Sequence, residues 1–390
     1  MFDRKAPEGN VTEQERLVRA IHASGRRLCV AAAAGGAGAI SALAAVPGAS
    51  RTLIDARVPY SLNALAGFLD RRPDKACSAE TAMDLALKAL RDAISLVPEN
   101  STVLLGVGVS ACLATDRPRR GAERCFVSVA TQRTQISRFV AFRKGDLSRS
   151  EQERACTALI LDCIAEGCEI EERAPLKLGP GQAVSTTALP PEYWLKRLEE
   201  GFLDWVAWDN AGVFTASRRA PKALIPGSFK PVHRGHLGLA AAASRILGSE
   251  VEFEISMRNV DKPPIAASEV LSRVRQFGSG RSGFVTRAPT FVEKARLFPG
   301  CTFVIGADTA PRVVEPAYYG DSPAAMRLAL REIAGLGCNF LVAGRACPDG
   351  AFITLADVPV PPEFARLFWA IPVSDFRIDV SSSELRSSRP

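Results

Sequence analysis

The sequence predicts two successive α/β domains, the second built on a parallel sheet, and three observations carry that expectation. The 390 residues exceed one ordinary core and suit two domains of roughly 150–200 residues each. Apolar strand-like runs alternate with amphipathic helical patterns in both halves, the rhythm of layered α/β structure. Between the halves that rhythm breaks over residues 173–219, with Pro175, Gly179-Pro180-Gly181 and Pro190-Pro191. A linker with a short helix belongs there.

Residues 1–12 are polar, hold Pro7 and Gly9, and read as a flexible tail. The first domain is expected over 13–172. Thr12-Glu-Gln-Glu15 ahead of Leu17, Val18, Ala20 and Ile21 predicts a capped amphipathic helix. Residues 27–31 form a short buried strand leading into Gly35, Gly36 and Gly38. Helices follow over 78–97 and 148–166, with strands near 103–109 and 124–130 between them. The second domain, 220–390, alternates regularly. Strands are expected at 222–226, 250–256, 283–287, 302–306 and 338–343. Helices are expected at 235–247, 267–277, 290–298 and 323–336, with a last one near 382. Ligands of such a sheet lie at the carboxy ends of the strands.

Composition narrows the function. Apolar residues make up 47% and charged residues 23%, so the chain is globular rather than disordered. The net charge of +7 favours anionic partners. No basic run is longer than Arg71-Arg72 or Arg119-Arg120, and no nucleic-acid-binding signature accompanies them, so a nucleotide is expected rather than a nucleic acid. The ten cysteines show no C-x2-C spacing and only three histidines could complete a zinc site, so no metal-ligand set is expected. Reduced thiols and a cytoplasmic location follow, with an organellar location and a homo-oligomer left open. Residues 28–50 are uncharged, but Ala and Gly dominate them, which opposes a membrane span.

The chemistry concentrates in Gly227-Ser228-Phe229-Lys230-Pro231-Val-His233-Arg-Gly235-His236. A strand, a glycine turn and a helix start make an anion site, because backbone N–H groups and the helix dipole face the same point. Two imidazoles three residues apart share one face of the first turn. They are placed either to donate to phosphate oxygens or to serve as capping and core residues.

That segment resembles the H-x-G-H signature of the nucleotidylyltransferase superfamily. Val304-Ile-Gly306-Ala-Asp308-Thr309 resembles the G-A-D strand end of nicotinamide mononucleotide adenylyltransferases, and Val380-Ser381-Ser382-Ser383-Glu-Leu385-Arg386 resembles their I-S-S-T-x-I-R signature. The resemblance implies a Rossmann-like domain that joins nicotinamide mononucleotide to ATP, giving NAD and pyrophosphate, with Mg²⁺ brought by the ATP. It implies catalytic roles for His233 and His236. It implies nucleotide contacts from Gly227, Ser228, Phe229, Lys230, Gly306, Asp308, Thr309, Ser382, Ser383 and Arg386. Lys262 and Arg273 match positions that grip the acceptor phosphate, or else lie on a solvated helix face. Phe291 either stacks on a pyridine ring or fills the core. Lys230 departs from the usual Asn or Asp. Alternatives are another nucleotidylyltransferase, using CTP or another phospho-acceptor, and a non-catalytic pyridine-nucleotide-binding protein.

Residues 28–172 resemble the carboxy-terminal domain of the CinA family, nicotinamide mononucleotide deamidases. The resemblance lies in Ala31-Ala-Ala-Ala-Gly35-Gly36, Val46-Pro-Gly48-Ala-Ser50, Val58-Pro-Tyr60-Ser61-Leu-Asn63, Ser78-Ala-Glu80-Thr81-Ala82 and Gly106-Val-Gly108. The family's serine nucleophile falls at Ala33, and its lysine falls near Leu65. A nucleophile needs a hydroxyl and a base, so the resemblance implies a CinA-like layered domain that is non-catalytic.

Overall fold

The computed structural model describes residues 11–97, 103–117, 119–132, 134–258, 263–346 and 351–377. They form two compact units, 1–189 and 190–390.

The first unit is a six-stranded sheet in the order β2-β1-β3-β4-β5-β6. Its strands are β1 (Arg27–Ala33), β2 (Leu53–Arg57), β3 (Leu104–Cys112), β4 (Glu123–Ala130), β5 (Gln135–Phe142) and β6 (Val184–Thr186). β1 runs parallel to β2 and β3, and the rest of the sheet is antiparallel. The helix Glu13–Ala23 starts where Thr12 accepts the Glu15 N–H at 3.1 Å. The helix Arg149–Gly167 starts on a reciprocal Ser148–Glu151 capping box. The helix Ala79–Leu96 lies against β3 so closely that a Cβ at Gly106 or Gly108 would run into its backbone. That contact is why the strand reads Gly-Val-Gly. The core gathers Leu28, Val30, Leu105, Val107, Cys125, Val127 and the inner face of Arg149–Gly167. Burial pushes the Cys163 thiol up to about 12, so it acts as packing material.

The second unit is an eight-stranded sheet in the order β16-β13-β12-β9-β10-β11-β7-β8. Its strands are β7 (Trp205–Trp208), β8 (Phe214–Thr215), β9 (Ala223–Pro226), β10 (Glu252–Ser256), β11 (Gly283–Thr286), β12 (Thr302–Gly306), β13 (Asn339–Ala343) and β16 (Phe368–Ala370). The strands β14 (Arg345–Ala346) and β15 (Phe352–Ile353) pair antiparallel as a separate two-stranded sheet. The six strands from β16 to β11 are parallel. From β9 the chain builds outward through β10 and β11, then returns to the other side of β9 with β12. The junction of β9 and β12 is therefore the switch point where ligands of such sheets bind.

Two expectations are corrected. Residues 173–219 are not a linker, since β6 completes the first sheet, whereas the helix Pro191–Glu199, β7 and β8 belong to the second unit. The reason is pairing: Trp205–Trp208 runs antiparallel along β11 and buries Val206, Ala207 and Trp208. For the same reason the second sheet is mixed rather than wholly parallel. Among the described residues no helix is long and apolar enough to cross a membrane. Residues 1–10 of the tail expected over 1–12, and the final helix near 382, lie outside the described residues.

Candidate active site

β9 delivers the chain to the switch point, and Gly227 is fixed there by its N–H, which donates to the Glu254 carbonyl at 2.9 Å. Phe229 takes a left-handed φ of 45° and drives its ring inward, where it is 1% exposed. The ring stands edge-on to Phe253, Phe277 and His236, with a centroid distance of 4.9 Å to His236. The motif resemblance puts Phe229 at the nucleotide; its side chain instead forms the floor beneath His236.

The helix Arg234–Leu247 begins at His233, and the two histidines cap each other. The Gly235 N–H donates to His233 Nδ1 at 3.1 Å, and the His233 N–H donates to His236 Nδ1 at 3.3 Å. An Nδ1 that accepts carries no proton, so in each neutral ring Nε2 bears the hydrogen. The rings stack with centroids 3.7 Å apart and planes at 26°. Protonation of such a pair is disfavoured. Burial lowers the His236 pKa to about 4, with further lowering from His233 and Arg345. Burial and then Arg345 lower that of His233. At neutral pH both rings at this helix N-terminus are thus held in the neutral form.

At the end of β12, the Thr309 N–H donates to the Gly306 carbonyl at 2.9 Å. A Cβ at residue 306 would collide with the Asp308 carboxylate, so glycine is required there. Asp308 pairs with Arg345 across 2.7 Å. Arg345 follows β13 directly, at the next carboxy strand end, and sequence reasoning missed it. Its position just past the apolar run 338–343 was the available signal.

Lys230 and Arg273 converge on Glu269, each at 3.1 Å. The Arg273 guanidinium is buried and also donates from Nη1 to the Ser228 carbonyl at 2.8 Å. The structure thus gives Arg273, expected at the acceptor phosphate, the place of a strut behind the glycine turn. Phe291 packs edge-on against Phe303 and Phe340, which is its core alternative. Below the site lies a closed polar network. Lys294 Nζ donates to both Glu254 oxygens at 2.7 and 2.8 Å and to the Ala288 carbonyl, while the Thr286 hydroxyl donates to Glu254. Lys262, Ser382, Ser383 and Arg386 lie outside the described residues.

In the first unit, Ala33 and Leu65 share one dry cluster with Ala31, Leu69 and Leu85. The glycine turn that follows is filled by the protein itself. Glu153 accepts from the Gly36 N–H at 2.9 and 3.0 Å and from the Gly38 N–H at 3.2 Å. A cavity of about 510 Å³ opens there, lined by Gly35, Ala37, Tyr60, Arg149 and Glu153 among others.

Residues 224–388 match the family model described as cytidylyltransferase-like. The carboxy-terminal domain is therefore a nucleotidylyltransferase domain of the H-x-G-H superfamily. About 40% of the chain is similar to CinA-family structures. The competence/damage inducible protein CihA from Agrobacterium tumefaciens is 18% identical, with 40% of this chain and 96% of that chain covered and a TM-score of 0.34. A competence-damaged protein (CinA) superfamily protein from Escherichia coli is 16% identical over 40% of this chain and 86% of that one, with a TM-score of 0.31. One from Enterobacter cloacae is 16% identical over 43% and 98%, also at 0.31. No curated protein matches the chain significantly.

Proposed function

We propose that this protein transfers the adenylyl group of ATP to the phosphate of nicotinamide mononucleotide, forming NAD and releasing pyrophosphate. The observation that carries the reading is the histidine pair: two imidazoles whose tautomers are fixed by backbone donors, at a helix N-terminus on the sheet's switch point. An oxygen of the acceptor phosphate attacks the α-phosphorus. The bond from that phosphorus to the bridging oxygen breaks, and pyrophosphate leaves with the electron pair. His233 and His236 donate through Nε2 to the oxygens on which negative charge grows. Their preset orientation removes the cost of reorganising at that moment. Asp308 is suited to accept from a sugar hydroxyl. Mg²⁺, entering with the triphosphate, would supply charge neutralisation.

The choice of nicotinamide mononucleotide rests on the resemblance of Gly306-Ala-Asp308 to that branch and of the first region to a family acting on the same mononucleotide. A second reading, with CTP as donor, is favoured by the cytidylyltransferase-like description of the matching model. The experiment is pyrophosphate release from the purified full chain. Nicotinamide mononucleotide, nicotinic acid mononucleotide and phosphopantetheine would each be offered with ATP and with CTP. Fastest turnover is expected with nicotinamide mononucleotide and ATP, and His236→Ala should lower kcat by at least ~10²-fold, since one lost preorganised donor costs roughly 3 kcal/mol. Faster turnover with CTP or phosphopantetheine would replace the substrate assignment. Undiminished turnover in His236→Ala would remove the site.

A further inference from the structure

The Asp308–Arg345 pair differs in kind from the Glu254–Lys294 pair beneath it. Glu254 and Lys294 are sealed in, at 1% and 6% side-chain exposure, with every Lys294 donor committed. Asp308 and Arg345 are each 38% exposed. A pair open to water holds its partners weakly, so a better anion can replace the carboxylate at small cost. Arg345 follows β13 and Asp308 follows β12, and β12 runs parallel beside β9, whose carboxy end leads into the histidine pair; the Arg345 charge opposes protonation of both rings. The guanidinium fork, the Asp308 carboxylate and the histidine pair thus follow the carboxy ends of three successive strands of the sheet, β13, β12 and β9. The ligand class that suits a planar fork beside neutral N–H donors is a multiply charged phosphate, bound bidentately where carboxylate now sits.

We infer that Arg345 is a substrate-contacting residue for the pyrophosphate portion of the nucleotide, and that Asp308 holds its place until the phosphates arrive. The exchange does two things at once. It brings a cation onto the leaving group, and it frees the Asp308 carboxylate to accept from a sugar hydroxyl. The inference rests on the nucleotidyl-transfer reading for the identity of its ligand, but its test needs no turnover.

The probe is inorganic pyrophosphate, titrated calorimetrically into the full chain, with the histidine ring signals followed by NMR. The wild type should bind and shift both ring signals. R345Q should bind at least ~10-fold more weakly, as expected for the loss of a bidentate charge-assisted contact. D308N should bind about 2- to 5-fold more tightly, because a competing carboxylate is gone. Equal affinity in wild type and R345Q, weaker binding in D308N, or no binding by the wild type would overturn the inference. If R345Q loses pyrophosphate yet no nucleotide is turned over by the wild type, the functional reading fails and the Arg345 contact stands. If the wild type turns over nucleotide but R345Q binds pyrophosphate as well as it does, the Arg345 contact fails and the functional reading stands.

Discussion

Arg273→Met separates two roles for one cation. The guanidinium is 7% exposed and donates to the Ser228 carbonyl at 2.8 Å and to Glu269 at 3.1 and 3.2 Å. Methionine keeps much of the apolar stem and removes every donor. Ser228 then loses a charge-assisted partner, at a cost of roughly 1.5–3 kcal/mol. The Glu269 arm faces water and adds little. The carboxy-terminal unit should therefore melt about 3–12 °C lower. With its strut gone the glycine turn loosens, so kcat should fall about 10-fold while both KM values move together. A residue that grips the acceptor phosphate would behave in the opposite way. Its loss would raise the acceptor KM selectively and leave the melting temperature alone. Differential scanning fluorimetry and steady-state kinetics, with each substrate varied in turn, distinguish the two. A selective rise in acceptor KM at unchanged melting temperature would refute the strut.

Two further outcomes follow from buried groups. Lys294→Met strands Glu254, which is 1% exposed, and should cost roughly 3–5 kcal/mol in urea unfolding; a loss below about 1 kcal/mol would show that the network is not closed as described. His236 gives a pH signature. As pH falls below the unfolded value of 6.5, the unfolded chain takes up a proton that the folded ring refuses until about 4. Stability should drop across that window by on the order of 1–3 kcal/mol. His236→Asn should flatten the curve, and an unchanged slope would count against the buried, neutral ring.

Much of the architecture is legible in the sequence because local pattern and fold agree. Thr12, Ser78 and Ser148 cap the helices that their own sequence contexts announce, and the alternation from 222 to 343 becomes strands and helices nearly residue for residue. What escapes depends on long-range pairing. β2, β7 and β16 are short strands whose identity comes from their neighbours rather than their own periodicity. The site divides in the same way. The histidine pair is written contiguously and is visible. Arg345 and Glu269 act through partners 37 and 39 residues away, Asp308 and Lys230, so spacing could not reveal them. Phe229 and Arg273 stand out in the sequence, but a motif gives residue identity and not the direction of a side chain. Only φ at Phe229 and burial at Arg273 turn them from ligand contacts into supports.

Both units contain a parallel strand, a glycine turn and a helix, and they use the helix start in opposite ways. In the first unit, Gly36 caps the helix Ala37–Ala45, and the N–H groups of Gly36 and Gly38 meet the Glu153 carboxylate. A negative charge is already satisfied there by the dipole and by direct hydrogen bonds, so a phosphate entering the cavity would have to displace it. Ala33 and Leu65, the positions that the CinA resemblance gives to a serine and near a lysine, lie in one buried apolar cluster with Ala31, Leu69 and Leu85. In the second unit the helix start is capped by two imidazole rings that accept from backbone N–H groups. Burial and the Arg345 charge both lower the pKa of these rings, so no proton adds charge to them at neutral pH. The contrast is physical: one helix start is capped by a carboxylate, and the other by two imidazoles.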